Sequence, residues 1–244
     1  MSDAARRAAY LGALGIDQWS LRRPAVTAAV TSPPALAASP PAAAMSPPAA
    51  TVEPPMDWAA LEACVRDCRR CVLHEGRTQT VFGLGDRRAE WMVVGDAPGA
   101  EEDRQGEPFV GSAGQLLTAM LAAIGLARET VYLTNALKCR PPDDRDPRPD
   151  EAGRCLAYLQ QQVDLVRPRI IVAFGRVAAQ SLLGTTAALG ALRGTVHRFG
   201  SLNTPVIVTY HPDYLLRSPG EKRKAWEDLK FARQVHAGLP ASPD

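Results

Sequence analysis

An α/β fold, a three-layer sandwich around a central sheet of four mostly parallel strands, is predicted by three features of residues 56–244. The first is a set of four apolar runs of strand length, rich in β-branched or aromatic residues, at 91–94, 131–133, 170–174 and 206–209. The second is a set of helical patterns at 113–124, 150–166, 177–183 and 222–236. The third is their alternation, because strands that alternate with helices form a parallel sheet covered on both faces.

Polar and turn-forming residues follow each strand run in order. Gly95-Asp96-Ala97-Pro98-Gly99 follows the first, Thr134-Asn135 the second, Gly175-Arg176 the third and Tyr210-His211-Pro212 the fourth. Ligands of such sheets bind beyond the carboxyl ends of the strands. We therefore expect Asp96, Asn135 and His211 to converge on one site, although Asp96 or Asn135 could instead cap the next helix and His211 could be an ordinary partly buried histidine.

The charge balance excludes a strongly basic, histone-like protein and an acidic tail protein. The 244 residues contain 28 Lys and Arg against 26 Asp and Glu, a formal net charge of +2. Contact with nucleic acid is therefore expected through a local patch. No stretch approaches about 20 consecutive apolar residues, which argues against a membrane span. No signal peptide is evident, which favours a cytoplasmic protein, and association with the bacterial nucleoid is expected if the protein contacts DNA.

Composition divides the chain into three predicted parts. Residues 24–55 contain 9 Pro and 11 Ala, with Glu53 as the only charge, and a disordered linker is predicted there because such a segment cannot build a core. Residues 1–23 include Trp19 among several apolar residues, which is typical of a short peptide that folds on a partner. The alternative is that this peptide packs onto its own domain. Residues 56–244 form the predicted globular domain.

Four of the five cysteines have spacings that suit a shared metal site. Cys68 and Cys71 form a C-x-x-C pair, and Cys139 and Cys155 come from two further segments. Four thiolates suit a tetrahedral zinc ion or an iron–sulfur cluster, and spacing alone does not choose between them. A thioredoxin-like redox use is weaker because no strand precedes the pair. Cys64 is left spare.

Five motifs run in a fixed order from about Cys68 to Leu239. They are Cys68-Arg69-Arg70-Cys71 with Glu75-Gly76-Arg77-Thr78, Gly95-Asp96-Ala97-Pro98-Gly99 with Glu101-Glu102-Asp103, Pro108-Phe109-Val110-Gly111, Thr134-Asn135 leading to Lys138-Cys139-Arg140-Pro141-Pro142, and His211-Pro212-Asp213-Tyr214-Leu215-Leu216-Arg217. In this order and spacing the chain resembles the family 4 uracil-DNA glycosylases, which carry a [4Fe–4S] cluster. The resemblance implies a monomeric hydrolase of base excision repair that flips uracil out of DNA and hydrolyses its N-glycosidic bond, leaving an abasic site.

The resemblance also implies roles for individual residues. Phe109 would stack on the flipped uracil, and the Asn135 amide would read its polar edge, since an amide offers both a donor and an acceptor. His211 would stand beside uracil O2 and stabilise the departing anion. The loop of Asp96, Ala97 and Pro98 would line the base and the sugar, with Asp96 and Glu102 as candidates for activating the water.

DNA contacts and the cofactor follow from the same resemblance. The 214–217 stretch would enter the DNA, with Leu215 and Arg217 as its contacts, and Arg140 would lie near the phosphates. The [4Fe–4S] ligands would be Cys68, Cys71, Cys139 and Cys155. A cluster tied to the end of the second strand would brace the loop that carries Arg140, Arg145 and Arg148.

Two departures from the family pattern leave alternatives open. The family commonly has Glu where this chain has Asp96, and Ala97 stands where family 1 enzymes carry an activating Asp. A non-catalytic DNA-binding or replication-associated module is therefore the alternative to an enzyme, and a glycosylase with another base preference is a third possibility. Residues 14–24 resemble the N-terminal peptide of the psi subunit of bacterial DNA polymerase III holoenzyme, which implies the replication clamp loader as a partner of residues 1–24.

Overall fold

The computed structural model describes residues 57–240. The peptide predicted at residues 1–23 and the linker predicted at 24–55 lie outside the described residues. Within 57–240, no helix has the length and apolar character needed to cross a membrane.

The centre of the fold is one six-stranded mixed sheet. Its strands are β1 (Leu84–Gly85), β2 (Trp91–Gly95), β3 (Tyr132–Asn135), β4 (Ile170–Phe174), β5 (His197–Phe199) and β6 (Thr204–Thr209). They are ordered β1-β3-β2-β4-β6-β5, with the four inner strands parallel and both edge strands antiparallel. The predicted α/β class and its four parallel strands are thus confirmed.

The prediction of only four strands was wrong at the two edges. β1 has two exposed residues, and β5 has three residues of which one is fully buried. Strands this short give no run of apolar residues, so they carry no periodic signal. Both cover the outer edges of the parallel core and shield its unpaired backbone groups.

Eight helices surround the sheet among the described residues. They are α1 (Trp58–Arg66), α2 (Ala100–Gln105), α3 (Gly111–Ala123), α4 (Pro149–Val166), α5 (Arg176–Leu183), α6 (Leu189–Leu192), α7 (Pro212–Arg217) and α8 (Lys222–Ala237). The four helices predicted from sequence correspond to α3, α4, α5 and α8. Helices α2 and α7 are too short and too polar to show an amphipathic period, which explains why neither was predicted.

The sheet is buried on both faces, as a parallel sheet must be. Met92 and Val94 of β2 pack into the core beneath α4 and α5, whereas Trp91 and Val93 pack into the opposite core beneath α3 and α8. This alternation follows from the two-residue period of a strand. The three-layer arrangement is therefore as predicted.

The carboxyl ends of the inner strands are held level with one another. Gly95 stands opposite Asn135 in the register of β2 and β3, and pairing continues past β3 because the N–H of Ala136 donates to the Gly95 carbonyl at 2.8 Å. On the other side, the N–H of Gly175 donates to the Thr209 carbonyl at 2.9 Å. The loops that follow these strands consequently share one rim.

Candidate active site

A cleft of about 760 Å³ opens at this rim. Its wall includes Asp96, Asn135 and His211, the three residues expected to converge there, and also Phe109. Ala97 and Pro98 line the cleft as well. The cleft is large enough for a nucleobase together with part of its sugar and phosphate, since ligand pockets span roughly 300–1,000 Å³.

Phe109 forms an aromatic wall in an unusual backbone conformation. Its side chain is 4% exposed, and its ring lies 5.8 Å from the His211 ring at an interplanar angle of 24°. Its φ angle is +55°, a left-handed conformation that costs a bulky residue about 1–3 kcal/mol. The glycine at Gly95 allows this approach, because a Cβ there would come within 2.6 Å of the Phe109 ring and also collide with the Asn135 amide oxygen.

The strained backbone at Phe109 is held by a residue that sequence reasoning missed. One guanidinium nitrogen of Arg128 donates to the carbonyls of Pro108 and Phe109, each at 3.0 Å. On the far side, helix α3 passes so close to the Phe109 carbonyl that only a glycine, Gly114, fits there. Nothing in the sequence around Arg128 signals this contact, because it joins residues about 20 positions apart.

The Asn135 amide is available to a ligand. The residue is 3% exposed and ends β3 beside Gly95. Among the hydrogen bonds of residues 57–240, none involves the amide oxygen or nitrogen of this side chain, although its backbone carbonyl is bonded. A buried polar group is costly unless it is paired, so an amide facing the cleft points to a ligand that supplies both partners.

His211 is neutral, and its tautomer is defined. Its Nδ1 accepts a hydrogen bond from the N–H of Asp213 at 3.3 Å, which caps helix α7. Burial lowers the pKa of His211 to about 4. A neutral imidazole that accepts at Nδ1 carries its proton on Nε2, so the ring offers one N–H donor.

The carboxyl group of Asp96 has a pKa near neutral pH. Burial raises its pKa to about 7, although the N–H groups of Ala178 and Val177 bond to the carboxylate and oppose that rise. The Ala178 contact measures 2.7 Å and places the carboxylate at the N-terminus of helix α5, against Gly175. Asp96 therefore accepts from the N-terminus of α5, which is not the next helix that the alternative prediction named, and it also lines the cleft.

Glu102 has a more structural setting than its prediction as a catalytic group implies. Its carboxylate accepts from the N–H of Gly99 at 3.1 Å at the N-terminus of helix α2, and also accepts from the N–H of Val110. Burial raises the pKa of Glu102. It lies on the cleft wall, where its bonds fix the loop that carries Phe109.

The predicted DNA contacts divide into exposed and buried residues. Leu215 is 1% exposed, which does not fit contact with DNA, whereas its neighbour Leu216 is 38% and Tyr214 is 39% exposed. Leu215 faces the core because helix α7 packs against α3. Arg217 is exposed and pairs with Asp213.

Arg140 lies beyond β3 and is held in a bidentate ion pair. Its guanidinium contacts the two carboxylate oxygens of Asp144 at 2.7 and 3.0 Å. Further along the same loop, Arg145 pairs with buried Glu151 at 2.7 Å. These pairs fix the loop in place at the edge of the cleft.

The four thiols predicted as metal ligands line a second, separate cavity. Cys139 and Cys155 are buried and Cys68 and Cys71 are half-buried, whereas Cys64 is exposed. Burial raises the pKa of the thiols of Cys71, Cys139 and Cys155, the last to about 12. The structure thus gathers the four thiols and leaves Cys64 outside.

Hydrogen-bond donors point at the sulfur atoms of this cavity. Arg77 donates to Cys139 Sγ at 2.9 Å, and the backbone N–H of Lys138 donates to Cys155. Such N–H···S bonds stabilise thiolates and the metal groups that they hold. Among the described residues, no three histidine, cysteine or acidic side chains are grouped tightly enough to hold a single ion. The four thiols instead line a cavity.

Lys138 is the second residue that sequence reasoning missed. Its side chain is 1% exposed, and its ammonium group contacts Thr134 Oγ1, the Asn135 carbonyl and Gln162 Oε1 at 2.6, 2.8 and 2.7 Å. Burial lowers the pKa of Lys138 to about 7, while the thiols of Cys155 and Cys139 raise it. A lysine between Asn135 and Cys139 was the available signal, but sequence gives no indication that it is buried.

Comparison with known proteins agrees with this geometry. Residues 82–230 match the model of the uracil DNA glycosylase superfamily. A type-4 uracil-DNA glycosylase of Archaeoglobus fulgidus is 45% identical over 173 residues, covering 68% of this chain and 86% of that protein. Type-4 uracil-DNA glycosylases of Pyrobaculum aerophilum and Sulfurisphaera tokodaii are 41% and 42% identical, over 71% and 70% of this chain and 92% and 81% of those proteins.

Proposed function

The chain belongs to the uracil DNA glycosylase superfamily and is a DNA repair glycosylase acting on uracil, and from that premise we propose how its residues perform the reaction. The observation that carries the proposal is the wall shared by Phe109, Asn135 and His211. It provides an aromatic face, an unpaired amide and an imidazole N–H around one cleft that is large enough to hold a base.

Recognition of the base is assigned to Phe109 and Asn135. A uracil that has left the duplex stacks on the Phe109 ring. The Asn135 amide donates to uracil O4 and accepts from N3–H. Cytosine presents the opposite pattern at these positions, so it would leave buried groups unpaired at a cost of about 1–3 kcal/mol each.

His211 is assigned to the leaving group. Breaking the N-glycosidic bond places negative charge on uracil O2 and positive charge on the sugar. The neutral imidazole donates from Nε2 to that oxygen without an added charge, because Nδ1 is already occupied as an acceptor. A positioned donor of this kind contributes about 3–4 kcal/mol in comparable oxyanion sites.

Asp96 is assigned to the attacking water. Its pKa of about 7 suits a general base at neutral pH, and it lines the cleft beside Ala97 and Pro98. Glu102 is assigned to positioning, because its carboxylate is engaged by two backbone N–H groups of the surrounding loop.

For DNA binding we assign Arg217, Arg140 and the exposed Leu216 and Tyr214. Tyr214 stacks on Tyr210 at 5.3 Å, so its ring is held at the mouth of the cleft. An apolar side chain beside the mouth of the cleft can fill the space that the flipped base leaves in the DNA. Leu216 replaces the buried Leu215 in this role.

The thiol cavity fits a [4Fe–4S] cluster. Its four cysteines come from the segment that follows helix α1, from the loop after β3 and from helix α4. The N–H donors around the cavity match the sulfur acceptors of such a group. When bound, the cluster would supply cross-links between these segments. We assign to it the bracing of the loop that carries Arg140.

The test of the proposed function is excision on oligonucleotides that carry uracil, hypoxanthine or xanthine, single- and double-stranded, with alkaline cleavage of the abasic sites. Uracil strands are expected to be cleaved, and His211→Ala is expected to slow cleavage by at least about tenfold. A near-normal rate for this variant overturns the role of His211. A brown protein absorbing near 400 nm supports iron–sulfur, and a colourless protein containing zinc contradicts it.

The replication clamp loader remains the proposed partner of residues 1–24, and the nucleoid remains the proposed compartment. A connection to the replication machinery through residues 1–24 would raise the local concentration of the enzyme at new DNA. Capture of the clamp loader by the full chain is expected, with loss on Trp19→Ala. Equal capture by the wild-type chain and by Trp19→Ala would contradict this assignment.

A further inference from the structure

We propose that Lys138 is a positioning residue whose ammonium group lies between the two sites, where it fixes the backbone under the base-reading amide of Asn135 and places a positive charge beside the thiolate-bound group. This inference rests on the proposed function, in which Cys139 and Cys155 hold a cluster and Asn135 reads uracil. Lys138 lies between these residues in the sequence and also in space.

The hydrogen bonds around the Lys138 nitrogen require all three of its protons. The Asn135 carbonyl is an acceptor only. Gln162 uses its NH₂ group to donate to the Phe82 carbonyl at 2.8 Å, so its oxygen faces Lys138 as an acceptor. Thr134 places its hydroxyl 3.0 Å from the same Phe82 carbonyl and accepts from Lys138 when it donates there.

An ammonium group fits these three acceptors, whereas a neutral amine has only two N–H donors and would turn its lone pair toward an oxygen. A buried charge needs a counter-charge, and among the described residues no carboxylate forms an ion pair with Lys138. Lys138 instead lines the cavity of the four thiols and directly precedes Cys139 in the chain. Its natural counter-ion is therefore the thiolate-bound group.

Lys138 adds a positive charge to a cavity that Arg70, Arg77 and Arg154 also line. A [4Fe–4S] core held by four thiolates carries a net negative charge of about two. Arg77 supplies one positive charge through its bond to Cys139. Lys138 also lines this cavity, and its ammonium group contacts Thr134 and Asn135 of β3.

The same ammonium fixes the end of β3. Its bond to the Asn135 carbonyl holds the peptide from which the Asn135 amide projects, and its bonds to Thr134 and Gln162 tie that peptide to helix α4. Misplacing a recognition group by about 1 Å can cost a factor of up to about 100 in rate. Charge at the cluster and geometry at the base are thereby linked through one side chain.

The experiment compares Lys138→Gln with wild type, as the full-length iron-loaded protein. Glutamine removes the charge and keeps an amide that can donate within the network. The midpoint potential of the 400-nm chromophore is expected to fall, because loss of a neighbouring positive charge makes electron addition harder. Single-turnover uracil excision is expected to fall about tenfold.

Two variants of Gln162 separate charge from packing. Gln162→Leu removes a contact of the same buried network without changing charge, so its potential is expected to equal that of wild type. Gln162→Glu adds a negative charge beside Lys138, so its potential is expected to fall, and it provides the test if Lys138→Gln does not fold. An unchanged potential in Lys138→Gln, or an equal shift in Gln162→Leu, overturns the proposal. A colourless wild-type protein would instead refute the proposed cofactor. Absence of uracil excision by the wild-type protein would refute the proposed role of the cleft.

Discussion

At Asp96, the fold keeps a carboxyl group whose burial costs stability and whose raised pKa suits the role that we propose for it. Its folded pKa of about 7 lies above the ordinary value for aspartate, so folding favours the protonated form. The stability that this group contributes is present below about pH 4 and is lost as pH rises toward 7. At pH 8 the ionised carboxylate is a net cost, which is typical of active sites.

Asp96→Asn therefore separates activity from stability. We expect it to raise the free energy of unfolding at pH 8 by about 1–3 kcal/mol, because the amide oxygen still accepts from Ala178. At pH 4 the gain is expected to vanish. Denaturant unfolding at both pH values measures this, and a loss of stability at pH 8 contradicts the burial argument.

The rate of excision should follow the same titration. The wild-type value of kcat/KM is expected to fall as pH decreases through about 7, because a general base must be ionised. Asp96→Asn is expected to abolish this dependence along with most of the activity, whereas Glu102→Gln is expected to retain a midpoint near 7. A wild-type profile flat from pH 6 to 8 is incompatible with Asp96 as the base.

At the scale of single elements, the loop between α2 and α3 depends on Arg128 for its shape. The left-handed Phe109 persists only because surrounding contacts determine it. Arg128 supplies two of these contacts, and Gly114 leaves room for the carbonyl. The aromatic wall is thus preorganised before the base arrives.

Arg128→Met is expected to lower stability by about 1–3 kcal/mol and to slow single-turnover excision about tenfold, because the Phe109 loop relaxes. Arg198→Met is the matched control, since Arg198 donates to one exposed carbonyl, that of Asn203, at 2.9 Å. The control is expected to change stability by less than about 0.5 kcal/mol. A normal excision rate in Arg128→Met would show that the aromatic wall of Phe109 forms without the hydrogen bonds of Arg128.

The elements that could be predicted from sequence are those whose pattern repeats. The inner strands are buried on both faces and mostly apolar, and their carboxyl ends place Asp96, Asn135 and His211 at one rim. Helix α7 has only six residues, too few for a period, so sequence could not distinguish buried Leu215 from exposed Leu216. The roles of Arg128 and Lys138 depend on partners in other elements, which local sequence does not reveal.

At the scale of the whole molecule, the thiol cavity joins three segments that are distant in sequence. Cys71 follows helix α1, Cys139 follows β3 and Cys155 lies within α4. A group bound there closes loops between these segments, and it stabilises the fold by binding only the folded state. A group bound at the second site would therefore support the first by holding the domain together.

Cys71→Ser is expected to remove the 400-nm absorbance and to lower Tm by several degrees, as loss of a bound group requires. Cys64→Ser is the control, because Cys64 is exposed and outside the cavity, and it is expected to match wild type in both. Iron analysis and thermal unfolding measure the two effects. Equal iron content in both variants would falsify the assigned ligand set.

The most direct test of the account is single-turnover excision of uracil by Asn135→Ala beside Gln160→Ala. Asn135 presents an unpaired amide to the cleft, whereas Gln160 bonds to Asp164 on helix α4, away from the cleft. We expect Asn135→Ala to slow excision by at least about tenfold, the cost of unpaired polar groups on the base, and Gln160→Ala to match wild type. An Asn135→Ala rate within about twofold of wild type contradicts recognition of the base in this cleft.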